Sequence, residues 1–77
     1  MIDVVMPFMS ETMEAGTVRR WLKSVGDVVN IGDELVEIDA GKAIFVHQAD
    51  EAGVLVEILV TEGTTVPPGE VIARMST

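Results

Sequence analysis

The chain contains no cysteine, so no disulfide can staple it and the polypeptide offers no thiol for redox or acyl-transfer chemistry. Such work would need a prosthetic group. Tyrosine is also absent, and two Phe and one Trp are the only large aromatics in a chain that is 48% hydrophobic. The core must therefore come from Val, Ile, Leu and Met, a composition that favours strands. Basic residues are scarce: five Lys and Arg against thirteen Asp and Glu leave a net charge of −8. That balance argues against nucleic acid and against an anionic membrane surface, since phosphate-rich partners need clustered cations. No run approaches the roughly 20 apolar residues of a membrane span. The first residues also lack the basic and apolar regions of a secretory leader. A soluble, intracellular chain is expected. With one histidine, His47, and no cysteine, neither a metal-ligand cluster nor a nucleophile–base pair is supported. There is no phosphate-binding glycine loop leading into a helix and no Ser/His/Asp arrangement with supporting context.

Seventy-seven residues allow one small domain, 1–77, near the lower limit at which a single core holds without staples. An internal repeat organises it. Glu14-Ala15-Gly16 returns as Glu51-Ala52-Gly53, 37 residues later, and the same offset aligns Leu22 with Leu59, Gly26 with Gly63, Val29 with Val66, Gly32 with Gly69 and Leu35 with Ile72. Each half reads as a strand, a turn, a short strand at Val28-Val29 or Thr65-Val66, a second turn and a closing strand. Three glycines per half mark positive φ or close backbone approach. Two units are too few for a solenoid, so the halves should pack on each other about a pseudo-twofold axis. The expected fold is all-β, about eight short strands closed as a flattened barrel or sandwich with few exposed edges. Pro67-Pro68 should lie in the turn before Gly69 and keep the closing strand, Val71 to Arg74, short.

Between the halves, two strand-like runs, Glu34 to Asp39 and Ala43 to His47, flank Ala40-Gly41-Lys42. If Gly41 and Lys42 are the central residues of a two-residue turn, Gly41 supplies the positive φ of a type II′ hairpin and Lys42 projects from the apex. Most lysines at hairpin tips are simply solvated; local sequence leaves both readings open. Pairing Ala40 with Ala43 would put Val36, Ile38, Phe45 and His47 on one face and Glu37, Asp39, Ile44 and Val46 on the other. His47 is then a partly buried structural histidine.

Met6-Pro7, Glu11, Gly16-Thr17-Val18, Trp21, Val25-Gly26-Asp27, Val29, Gly32-Asp33, Leu35-Val36-Glu37-Ile38, Lys42-Ala43 and Ala52-Gly53-Val54 together form a pattern spread over the whole chain. It resembles a lipoyl domain of the biotinyl/lipoyl carrier family, as found at the amino end of the acyltransferase (E2) subunits of 2-oxo acid dehydrogenase complexes. The resemblance implies that Lys42 receives lipoate through an amide bond, with Gly41 and Ala43 supporting the hairpin. It implies a carrier rather than an enzyme, one that shuttles acyl groups and reducing equivalents between active sites. The implied partners are a lipoate ligase or lipoyltransferase, a thiamine-diphosphate-dependent 2-oxo acid decarboxylase, the acyltransferase core, and dihydrolipoamide dehydrogenase. The implied location is cytoplasmic, or the mitochondrial matrix for a eukaryotic mature domain.

The family's lysine is commonly preceded by Asp and followed by Ala; here Ala43 is kept and Gly41 stands in place of the acid. Biotin carriers resemble one another in having Met on both sides of the lysine, which this chain lacks, so lipoate is favoured over biotin. A biotin carrier of a carboxylase and an unmodified binding module of the same fold are the alternatives. The resemblance also implies that the loop after the first strand, with Phe8, Met9, Ser10 and Glu11, helps partners choose. Its apolar residues, Phe8, Met9 and Met13, would otherwise cap the end of the barrel. Glu37 and Asp39 are further candidate partner-facing carboxylates, or merely the solvated side of a half-exposed strand.

Overall fold

The 37-residue repeat is present in the backbone strand for strand. In the computed structural model, which describes residues 1–8 and 13–77, β2 (Gly16–Trp21), β3 (Val28–Val29) and β4 (Glu34–Asp39) form the first half. They recur at the same offset as β6 (Gly53–Ile58), β7 (Thr65–Val66) and β8 (Val71–Ser76), while β1 (Ile2–Val5) and β5 (Ile44–Gln48) complete eight strands. One sheet has the order β1-β8-β6-β3 and the other β5-β4-β2-β7, so each sheet borrows its short edge strand from the opposite half. The ladder irregularities match as well, falling between Val18 and Arg20 in β2 and between Leu55 and Glu57 in β6.

Equivalent hydrogen bonds tie the halves together. The Gly26 amide donates to the Leu55 carbonyl and the Gly63 amide to the Val18 carbonyl, each at 2.7 Å. Gly26, Gly32, Gly63 and Gly69 all have positive φ. Gly53 answers a different need. A Cβ there would collide with the backbone carbonyl oxygen of Ser76, because β6 and β8 pair with Val54 opposite Ser76.

Val18, Leu35, Val36, Ile38, Leu55 and Ile72 fill the interior, each at most 1% exposed, with the consecutive Leu35 and Val36 both buried where the β4–β5 ladder shifts register between Glu34 and Val36. Full burial of such a side chain contributes roughly 1.5–3 kcal/mol. Trp21 closes one margin of the core and stays half-buried, its indole N–H donating to the Val60 carbonyl at 2.9 Å. The expected pseudo-twofold all-β architecture is thus observed, with one adjustment. Pro67-Pro68 does lie in the turn with Gly69, closed by the Glu70 amide donating to the Pro67 carbonyl at 3.3 Å, but the closing strand is not short: β8 runs six residues to Ser76. Its central place between β1 and β6 gives it ladder partners on both sides, which hold it extended to its end.

Candidate functional site

The β4–β5 hairpin follows the register that the sequence implies. Val36 pairs with His47, Glu37 with Val46, Ile38 with Phe45 and Asp39 with Ile44, and the Ala40 amide donates to the Ala43 carbonyl at 3.0 Å. Gly41 has φ +94° while Lys42 does not enter the positive-φ region, so only the first central residue needs glycine. The faces separate as expected. Val36 and Ile38 are buried, Phe45 and His47 half-buried, and Ile44 and Val46 exposed beside Glu37 and Asp39.

Lys42 is exposed at the tip and makes no ion pair or hydrogen bond among the described residues. The chain has one other lysine, and its surroundings differ. Lys23 is half-buried, with its ammonium 3.4 Å from the Asp33 carboxylate and 3.5 Å from the Val28 carbonyl. Of the two, Lys42 alone presents an amine that an enzyme can reach without breaking contacts among the described residues.

The tip is braced from below. One carboxylate oxygen of Asp39 accepts the Gly41 N–H at 2.8 Å, an Asx turn that limits the freedom glycine would otherwise bring. An Asp two residues before a Gly is a local signal for this bracing role, which is distinct from both the partner-facing and the merely solvated carboxylate expected of Asp39. Glu37 is half-buried and lies 3.6 Å from Arg19 on the neighbouring strand. An exposed ion pair of this kind contributes at most about 1 kcal/mol.

An open groove runs beside the lysine, formed by Met13, Glu14, Ala15 and Thr17 on one side and Asp39 to Lys42 on the other. It exists because β2 pairs with β4, with Thr17 opposite Asp39. Local sequence carried no signal for that meeting. The apolar residues after β1 divide in function: Met13 is 8% exposed and finishes the core, whereas Phe8 is 66% exposed. Met9, Ser10 and Glu11, expected to take part in partner choice, lie outside the described residues.

His47 is placed away from the tip, beside a cavity of about 220 Å³ lined by Val4, Leu35, Ala49, Asp50 and Met75 among others. No cluster able to hold a metal includes it among the described residues. Burial holds its imidazole below the ordinary pKa of 6.5, while the Asp50 carboxylate acts in the opposite direction. The folded state thus takes up its proton less readily than the unfolded chain. The His47 contribution to stability should begin to fall as pH drops below about 6.5 and level off below the folded-state pKa of this imidazole. His47→Gln should remove that slope from the denaturation midpoint measured between pH 7.5 and 5, and an NMR titration of the imidazole should have its midpoint below 6.5.

Comparison with known proteins adds a second line of support. The sequence model of the Biotin_lipoyl family, described as biotin-requiring enzyme, matches residues 2–75. The dihydrolipoyllysine-residue acetyltransferase component of pyruvate dehydrogenase complex from Zymomonas mobilis is 45% identical over 76 residues, which is 97% of this chain and 17% of the relative. The dihydrolipoyllysine-residue succinyltransferase component of 2-oxoglutarate dehydrogenase complex from Staphylococcus saprophyticus is 42% identical over 73 residues, 95% of this chain and 17% of the relative. The chain therefore spans about a sixth of these relatives' length, 17% in each case. Among solved structures, the lipoyl domain of the 2-oxoglutarate dehydrogenase complex from Azotobacter vinelandii superposes with a TM-score of 0.80 at 32% identity, covering 100% of this chain and 98% of that one.

Proposed function

Because the chain belongs to the Biotin_lipoyl family, we propose that it is a lipoyl carrier domain of a 2-oxo acid dehydrogenase complex, with Lys42 as the attachment point. The observation that carries this reading is the exposed amine of Lys42, unengaged among the described residues, on a glycine-shaped, Asp39-braced hairpin tip, in a chain whose other lysine is committed to Asp33. The tip fits lipoate. A primary amine on an exposed apex can form an amide, and the small neighbours Gly41 and Ala43 do not obstruct an approaching active site.

Lysine amines are protonated at neutral pH, so the attaching enzyme must take up a proton before the nitrogen can attack. The deprotonated Nζ then forms a bond to an activated acyl carbonyl, the activating group leaves, and the remaining N–H proton in excess is lost from the amide nitrogen. The product carries no charge at position 42. Once bound, the group would supply the dithiolane sulfur chemistry that a cysteine-free chain cannot provide. The chain's own part is to hold the arm on a rigid scaffold. Tethering turns encounters with successive active sites into intramolecular ones at about millimolar effective concentration. The domain itself carries and does not catalyse.

The similarity to a lipoyl domain, and the absence of Met beside Lys42, support lipoate over biotin. The complex's decarboxylase, acyltransferase core and dihydrolipoamide dehydrogenase are the proposed partners, with a lipoate ligase or lipoyltransferase as the modifying enzyme. Co-expression with a lipoate ligase in one culture and a biotin ligase in another, read by intact mass, tests the reading. A lipoyl-sized increase in the first alone is expected. A biotin-sized increase, or no increase in either culture, contradicts it.

A further inference from the structure

The two halves of the repeat share a backbone but differ in the chemistry of one equivalent surface. In the first half Val25, Val28 and Ile31 are 57%, 64% and 72% exposed. At the same positions 37 residues later stand Glu62, Thr65 and Pro68. Val29 beside Val28 is fully buried, as is usual for alternate residues of a strand, so Val28 faces outward from β3. Val25 and Ile31 occupy the turns at either end of that strand. Both turns are held by carboxylates, with Asp27 accepting the Ser24 amide and Asp33 the Asn30 amide at 2.8 Å each.

The fold does not require apolar side chains here, because its own second half takes a glutamate, a threonine and a proline at the matching sites. Scattered exposed apolar residues are ordinary. Three within seven residues, confined to one of two equivalent surfaces, point to something that covers them.

The rim indicates the chemistry of that partner. Asp27 is exposed on the segment itself, and Asp50 and Glu51 follow Ala49, whose amide donates to the Asp33 carbonyl and whose carbonyl accepts from Gly32 at 2.8 Å each. None of these three carboxylates is in an ion pair among the described residues. The nearby cation, Lys23, is already bound to Asp33. β3 is only two residues long, which leaves too little edge for an added strand.

We propose that this surface docks a cationic amphipathic helix of a partner protein, its apolar stripe on Val25, Val28 and Ile31 and its Lys or Arg flanks on Asp27, Asp50 and Glu51. The site is separate from the lysine tip. The Asn30–Asp33 turn enters β4 at its start, whereas Lys42 lies beyond its end, about 20 Å of strand away. Docking there would hold the domain while leaving the tip free, and it does not depend on what Lys42 carries.

The test uses the internal repeat as its control. A synthetic helical peptide of Leu at i, i+3, i+4 and i+7 spacing with Lys on its flanks is titrated into the 15N-labelled chain. Saturable shifts should concentrate on residues 24–33 and 49–54. The triple variant Val25→Glu, Val28→Thr, Ile31→Pro, which writes the second half's residues into the first, should keep the native spectrum and weaken binding more than about tenfold. If the triple variant does not fold, Val28→Thr alone should weaken binding measurably, since threonine already occupies the equivalent strand position. Shifts spread over the whole acidic surface, shifts centred on Phe8 and Ile44, or unchanged affinity in the folded variants would overturn the proposal.

Discussion

Exchanging Gly41 and Lys42, so that the lysine moves back one residue, is expected to slow lipoate attachment by about 100-fold or more, although both residues remain at the tip. Two physical effects act together. Position 41 has φ +94°, where a side chain is disfavoured by roughly 1–2 kcal/mol, so the exchanged lysine strains the turn it is meant to decorate. The amine is also displaced by about one residue of strand, some 3.3 Å, and misplacement of even 1 Å can cost about 100-fold in rate. The measurement is the rate of mass increase with lipoate ligase, with an NMR spectrum of the exchanged variant to show that the sheets persist. A rate within a few-fold of the native chain would mean that the enzyme reads only an exposed lysine near a turn. Lys42→Arg is the companion variant: it keeps the charge and length but should show no lipoyl-sized increase.

The second large effect concerns the fold. Gly53→Ala is expected to destabilise the chain by about 3 kcal/mol, at the upper end of overpacking effects, because the new methyl meets the Ser76 carbonyl oxygen in the neighbouring strand. In a domain of this size that corresponds to a fall in melting temperature of roughly 12–24 °C. Gly16, the equivalent residue in the other half, provides the contrast. A Cβ there would approach the Met6 sulfur at 2.7 Å and the Met13 terminal methyl at 2.8 Å, both at the ends of flexible side chains, and the Ile38 Cγ2 at 2.9 Å. Side chains can rotate away where backbone cannot, so Gly16→Ala should cost less. Equal losses for the two variants in thermal denaturation would show that the pseudo-symmetric sites are equally constrained, against this reading.

The contrast between those glycines also shows what could be read from the sequence. The 37-residue offset marked both as equivalent, and the strands that follow them, β2 and β6, have matching bounds. The hairpin register was legible for a related reason. A two-residue turn fixes every pair behind it, so Gly41 alone was enough to set Val36 opposite His47 and Ile38 opposite Phe45. Long-range pairing left no such local trace. That Thr17 meets Asp39, that a groove with Glu14 therefore opens beside Lys42, and that β3 and β7 exchange sheets between the halves all depend on contacts between distant segments. The length of β8 exceeds the local expectation for the same reason. Two prolines suggest a short strand when read locally, whereas partners on both sides keep it extended to Ser76.

Phe8 and Met13 show a similar limit, since apolar character alone could not tell the residue that completes the core from the one left in solvent. The asymmetry between Val25, Val28, Ile31 and their polar counterparts was visible in the aligned halves, but it gained meaning only once the structure showed those side chains exposed.

The central claim is that one amine of this chain is the attachment point. Peptide mapping of the lipoylated protein by tandem mass spectrometry tests it most directly, because only Lys23 and Lys42 compete with the amino terminus. The account predicts a single lipoyl group on Lys42, unmodified Lys23, and complete loss of the mass increase in Lys42→Ala. A lipoyl group on Lys23 or on the terminal amine, or an increase that survives Lys42→Ala, would contradict it.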